Sequence, residues 1–285
     1  MKQLVQQKLQ KYLAAVLALA LAAPVFTGCT EDDSYSLESV SASPSDKFNA
    51  KIQVVSRLTD APLITGDADY TAINNYMVNT LKGQEGAWLT ILDRTDNVDL
   101  TKVMTVSLNA YRWTAFAFNR LKNRTTYEGS MLFFNQPSRL VKSEACGKGC
   151  YITGMSPKME GTRTDKDESG NVTGTVDVSF NIEFRTARFD TADQVAAFGG
   201  ENGVMNKLKR EKMNMLMIGT VKNELFSGLQ STVASTDATF HAHNLAQGSG
   251  YTLFMISEER FWAPTGVTSD NLANGITAYT VNLMW

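Results

Sequence analysis

Residues 175–199 read TVDVSFNIEFRTARFDTADQVAAFG, and a change of period inside this stretch decides the fold class. From Thr175 to Arg185 the apolar residues Val176, Val178, Phe180, Ile182 and Phe184 stand on one side and polar residues largely on the other. That is the period-2 signature of a strand. At Asp190 the spacing turns helical, and 190–212 reads as one or two helices interrupted at Gly199–Gly200. The apolar run MLMIGT (215–220) follows as a buried strand, and in NELFSGLQSTV (223–233) Leu225, Phe226, Leu229 and Val233 share a helical face. Strands interleaved with helices, some strands apolar on both faces, define a mixed α/β domain with covered sheets.

The pattern extends outward in both directions. KIQVV (51–55) is a β-branched run that opens the domain. DADYTAINNYMVNTLK (67–82) carries Tyr70, Ile73, Tyr76, Met77, Thr80 and Leu81 at helical spacing, with Asp67 or Asp69 as N-cap. AWLTIL (87–92), VMTVSL (103–108), RWTAFAF (112–118), SMLFFN (130–135) and a short segment around 146–155 read as strands. GTRTDKDESGNVTG (161–174) is a solvated hairpin tip. Asp165, Asp167 and Ser169 lack the downstream bidentate Glu that a Ca²⁺ loop requires. TFHAHNL (239–245), TLFMIS (252–257) and GITAYTVNLMW (275–285) complete the set, with Asn274–Gly275 turning the chain into the last strand.

Composition excludes some functions. Over 285 residues, 43% hydrophobic and 20% charged content is that of a globular chain with a sizeable core. A net charge of −2 gives no basic field, so no nucleic-acid partner is expected. The two histidines both fall in FHAHN, confining histidine chemistry to one locus.

The N-terminal stretch AAVLALALAAPVFTGCTEDDS (14–34) follows Lys2, Lys8 and Lys11 and has an apolar core, Leu13–Ala23, too short to span a bilayer. Small residues Thr27 and Gly28 then lead into Cys29. This resembles the lipobox of bacterial lipoproteins, with Phe26 where Leu is usual, and implies that Cys29 becomes a lipidated N-terminus. Glu31, Asp32 and Asp33 resemble the surface-export tag of Bacteroidetes lipoproteins. The expected organisation is a signal peptide over 1–28, a tether rich in Ser, Asp and Pro over 29–50, and one α/β domain over 51–285, anchored in the outer membrane at the cell surface.

In an exported chain Cys146 and Cys150, separated by Gly-Lys-Gly, read as a disulfide clip on a turn, with free thiols or metal ligands as alternatives. His241 and His243, at i and i+2 of a strand, would complete a Cys₂His₂ zinc set only if the fold brings the two pairs together. Trp262, in the loop EERFWAPTG, is either an anchored structural residue or a platform for a flat ligand such as a sugar.

Taken in order, these segments resemble the endonuclease/exonuclease/phosphatase superfamily, a deoxyribonuclease-like four-layer α/β sandwich. KIQVVS, the 67–82 helix and AWLTILDR match its opening, with Asp93 where a metal-binding Glu would fall. NIEFRTARFDTADQ matches the strand ending in Thr-His-Leu-Asp, with Arg188 for the His. MNMLMIGTVKN matches the strand ending in Gly-Asp-Phe-Asn, with Thr220 and Lys222 for the Asp and Asn. Ser269-Asp270-Asn271 matches Ser-Asp-His, with Asn271 for the His. The resemblance implies a domain stripped of the family's catalytic set: Asp93 and Asp270 keep an oxygen ligand, Lys222 opposes a cation, and Arg188 cannot serve as a base. No cofactor is expected under this reading. Mg²⁺ belongs to the alternative, an active metal-dependent phosphodiesterase or nuclease. A glycan-binding or structural surface lipoprotein of another α+β fold is the third reading.

Overall fold

The computed structural model describes residues 49–61, 66–81, 87–95, 113–121, 127–134, 138–167, 169–181, 183–211, 215–258 and 263–284. All lie in one compact unit, Val40–Trp285. The leader, Cys29, the expected strand 103–108 and Trp262 fall outside the described residues.

Two mixed sheets carry the domain. The first contains β1 (Asn49–Ser56), β2 (Ala87–Thr95), β3 (Trp113–Leu121), β4 (Tyr127–Phe134), β12 (Ala263–Ala273) and β13 (Ile276–Met284), in the order β12-β13-β1-β2-β4-β3. The second contains β5 (Ser138–Ala145), β6 (Tyr151–Lys166), β8 (Glu183–Phe189), β9 (Met215–Lys222), β10 (Phe240–Gln247) and β11 (Tyr251–Glu258), in the order β10-β11-β9-β8-β6-β5. β7 (Val172–Asn181) pairs with β6 alongside it. The helices are α1 (Asp67–Tyr76), prolonged by a π turn Met77–Leu81, α2 (Ala192–Gly199), α3 (Val204–Glu211) and α4 (Phe226–Thr236). β8 and β9 are parallel, so their connection must cross over, and α2 and α3 supply that crossover.

Burial fixes the layers. Ile73, Tyr76 and Met77 pack on Val55, Met131, Phe133, Ile276 and Ala278, covering the outer face of the first sheet. Val195, Phe198, Val204, Leu208, Leu229 and Val233 cover the second sheet through Ala187, Phe189, Met217, Val221 and Phe254. Strand alternation turns Ile52, Val54, Leu132 and Phe134 of one sheet toward Phe184, Leu216, Ile218 and Leu253 of the other, all fully buried. Phe134 and Phe184 meet edge-to-face at 5.3 Å across this seam. The result is a helix–sheet–sheet–helix sandwich, which explains why β9 and β11 read as unbroken apolar runs.

The alternating run 175–185 pairs with the strand before the tip, as its sequence implies: β7 and β8 lie on β6 in the same register, from Thr164↔Thr175 to Gly154↔Arg185, and β8 takes β9 on its other side. Two other stretches differ from the sequence reading. β5 (SRLVKSEA) has no clean alternation because a bulge between Val141 and Glu144 shifts its register on β6. β12 (APTGVTSDNLA) is a mostly exposed edge strand whose residues carry little apolar signal. The Asn274–Gly275 turn, with φ of 48° and 75°, is as the sequence implied.

Gly219 has a packing reason. A Cβ there would collide with the Ala187 carbonyl oxygen of β8 and lie 2.7 Å from Phe254 Cζ on β11. Gly219→Ala is therefore expected to destabilise the domain by about 1–3 kcal/mol in urea unfolding. The control is Gly228→Ala on α4, where nothing lies within 4 Å. It is expected to stabilise by about 0.5–1 kcal/mol. Equal effects at both positions would refute the close-approach argument.

Candidate functional site

The carboxyl ends of the parallel strands β8 and β9 lie at one rim of the sandwich, the place where open α/β sheets gather ligands. Arg188 and Thr220 are register partners there, and Lys222 lies two residues further on, opposite Tyr251 of β11. Alternation turns Arg188, Thr220, Lys222 and Tyr251 toward the seam between the sheets. Arg188 is 2% exposed. Its Nε donates to Asp190 Oδ1 at 2.9 Å, and its guanidinium carbon sits 3.8 Å from the centroid of the Tyr251 ring. The Tyr251 hydroxyl donates to the same Asp190 oxygen at 2.7 Å. To reach Tyr251 the guanidinium must pass over β9, and the short, buried side chain of Thr220 leaves room for it. Burial pushes the Tyr251 phenol above its ordinary range; the Arg188 charge opposes this, and the hydrogen bond and charge of Asp190 add to it.

Turns close the rim around this cluster. Gly250 and Tyr251 donate backbone N–H bonds to Leu58 O, at 3.1 and 3.3 Å, joining β11 to the end of β1. Asn223 donates its backbone N–H to Gly250 O and its side-chain amide to Gly248 O, and accepts from Thr252 Oγ1 at 2.9 Å. On the other side the amides of Asp190 and Thr191 donate to Gln194 Oε1, at 2.6 and 3.1 Å, capping α2. Next to Leu58, Arg57 donates to Asp69 at 3.1 Å, and Asn274 donates to Asp69 Oδ1 at 2.7 Å. The arrangement is a buried cation held by a carboxylate and an aromatic face. It can order a surface around itself.

The sequence-derived positions distribute unevenly. Arg188, Thr220 and Lys222 do come together. Asp93 lies on β2 two residues beyond Ile91, the partner of Val55, so its backbone reaches the same end of the first sheet as Arg57. Asp270 and Asn271, matched by resemblance to the family's Ser-Asp-His, lie within the edge strand β12. Asp270 pairs with Ala278, which belongs to the α1-facing core, so register parity sends Asp270 to the far face of the first sheet from Arg188. There its charge helps burial to raise the Tyr76 phenol. Asn271 accepts from Thr277 Oγ1 at 3.2 Å.

The cysteine expectation also changes. Cys146 and Cys150 are both free, buried thiols. The Cys146 thiol donates to Gln194 O at 3.3 Å, while its backbone N–H donates to Cys150 O at 2.8 Å. A hydrogen bond with Cys146, and burial, push the Cys150 thiol far up. The Cys₂His₂ set does not assemble: the cysteines flank the β5–β6 turn at one edge of the second sheet, and His241 and His243 lie on β10 at the other. His243 Nε2 sits 3.4 Å from Ser257 Oγ. Among the described residues no group of three or more His, Cys, Asp or Glu could hold a metal ion.

Asp190, Gln194, Asn223 and Tyr251 escaped the sequence reading as site residues. Two signals were present: the Thr191-x-x-Gln194 capping box, and Tyr251 following directly on Gly248-Ser-Gly250.

No family model and no curated protein matches the sequence. By shape the chain is similar to solved structures of the endonuclease/exonuclease/phosphatase type. One is the family protein from Bacteroides vulgatus, with a TM-score of 0.51, 7% identity and coverage of 83% of this chain and 98% of that chain. Another is the human Nocturnin catalytic domain with bound sulfate, with a TM-score of 0.51, 10% identity and coverage of 84% and 96%. A third is TDP2 from Caenorhabditis elegans, with a TM-score of 0.50, 10% identity and coverage of 99% and 88%. The fold is therefore the deoxyribonuclease-like mixed-sheet sandwich.

Tyr251→Phe tests the rim cluster. Removing the hydroxyl takes a donor from Asp190 and is expected to cost about 1–2 kcal/mol at pH 7. Because the folded-state phenol titrates above the ordinary tyrosine value of about 10, its contribution is full below about pH 9. It falls as the unfolded phenol ionises and is lost as pH rises through the folded value. The wild-type protein should lose stability above about pH 10 more steeply than Tyr251→Phe. Parallel pH profiles would contradict the assignment.

Proposed function

We propose that the chain is a lipid-anchored protein of the outer-membrane surface whose endonuclease/exonuclease/phosphatase-like domain binds an extracellular ligand without hydrolysing phosphodiesters. The observation that carries this reading is Arg188. It stands where the resembling family has its histidine base, its guanidinium keeps its proton at any working pH, and Asp190 and Tyr251 hold it in the seam. Thr220 and Lys222 replace the family's metal-organising Asp and Asn at the end of the adjacent strand. Lys222 brings a further positive charge to the rim where a divalent ion would sit. Support for the anchor is the Thr27-Gly28-Cys29 lipobox and the acidic run Glu31–Asp33.

Two measurements test the proposal. Full-length protein is expected to show no Mg²⁺- or Mn²⁺-dependent hydrolysis of bis(p-nitrophenyl) phosphate above the metal-only background, and no stoichiometric metal binding in calorimetry. Metal-dependent turnover that disappears in Asp93→Ala would reinstate the phosphodiesterase. In cell fractionation, Cys29→Ala should move the protein from the membrane to the soluble fraction. A variant that still sediments with membranes after a carbonate wash would remove the lipid anchor.

A further inference from the structure

The β5–β6 turn, Cys146-Gly-Lys-Gly-Cys150, reaches the Arg188 rim through Gln194 and through the Cys150 thiol, which meets the Arg188 backbone. Gly147 and Gly149 take φ of 75° and 74°, and a Cβ on Gly147 would stand 3.1 Å from Gln194 Cα, so the turn lies flat on the first turn of α2. Gln194, itself buried, contacts both sides. Toward the turn, its Nε2 donates to Lys148 O at 2.8 Å, and its backbone oxygen accepts the Cys146 thiol. Toward the rim, its Oε1 accepts the amides of Asp190 and Thr191. Asp190 in turn receives Arg188 and Tyr251. Two thiols in mutual contact are thus joined by an unbroken chain of hydrogen bonds to the rim.

We propose that Cys146 and Cys150 are a reversible redox pair, and that closing their disulfide loosens the hold of Gln194 on Asp190 and so relaxes the Arg188–Asp190–Tyr251 rim. This goes beyond the functional reading above and stands whether the rim binds or catalyses. The step is thiol–disulfide exchange with a small-molecule disulfide such as oxidised glutathione. One cysteine thiolate attacks the glutathione disulfide and releases the first glutathione. The second cysteine then displaces the other, leaving one S–S bond in the protein and both hydrogens on two glutathione thiols. Closure removes the hydrogen that Cys146 donates to Gln194 O. It also tightens the glycine turn that presents Lys148 O to Gln194 Nε2. Both contacts that brace Gln194 from the turn side change together. Because the sulfurs are buried and the Cys150 thiol is pushed up, attack requires the turn to open, and its exposed residues Gly147, Lys148 and Gly149 are where opening begins.

The test equilibrates full-length protein across glutathione ratios, quenches in acid, and reads the 146–150 peptide by mass spectrometry alongside backbone hydrogen exchange at Asp190 and Thr191. Oxidation should yield a peptide two hydrogens lighter and speed exchange at those two amides about fivefold, as expected for losing one hydrogen bond. Amides of β13 should be unchanged. Gln194→Ala should still form the disulfide, but exchange at 190–191 should be equally fast in both redox states. Cys150→Ala, or Cys150→Ser where the alanine variant does not fold, should keep the slow rate at every ratio. Cysteines that remain thiols at all ratios, or a disulfide that forms while exchange at Asp190 and Thr191 stays constant, would overturn the proposal.

Discussion

An ion that cannot shed its charge is buried where the two sheets meet, and much of the rim follows from accommodating it. An isolated guanidinium in such a place would be prohibitively costly. Arg188 is tolerable because Asp190, two residues on, turns back to accept its Nε, and because Tyr251 offers an aromatic face. Those partners impose further conditions. Asp190 must be held in place, which Gln194 does through the cap of α2. Tyr251 must be fixed against the seam, which the Gly248–Gly250 turn does by docking on Leu58 and Asn223. The residue crossed by the arginine must be small, and Thr220 is. Sequence-distant segments are therefore constrained by one side chain.

The same logic separates the fold from the chemistry it can host. The sandwich depends on apolar residues at alternating positions, on Gly219 for close strand approach, and on a helical crossover between parallel strands. None of these needs a particular acid or base. A chain can therefore share this architecture with proteins at 7–10% identity while its rim carries a different set of charges. The likeness in shape speaks to the layers, and the rim residues speak for themselves.

The architecture was legible where a physical pattern repeats. The runs at β9 and β11 announce covered sheets, and the order of strands and helices fits one known sandwich. Elements whose stability comes from neighbours were not legible. β12 is a strand because β13 pairs with it, and its own residues say little. β5 is a strand because β6 pairs with it, and the bulge between Val141 and Glu144 breaks its alternation. Arg188, Thr220 and Lys222 could be placed at neighbouring strand ends from sequence order alone. Asp270 was misplaced because parity on a strand, invisible until the register is known, decides which face a side chain joins. Tyr251 and Gln194 were missed because their importance lies in what they touch, across distances in sequence that no spacing rule spans.

The edge strand β12 has a consequence for how copies of this protein meet. Exposed strand edges recruit other strands, and such pairing is the first step toward fibrous aggregates. β12 carries two register shifts against β13, a proline at position 264 that lacks a backbone donor, and the exposed carboxylate of Asp270. Each interrupts the regular ladder of donors and acceptors that an incoming strand would need. Copies of this protein that meet edge to edge at β12 therefore find no regular ladder to extend.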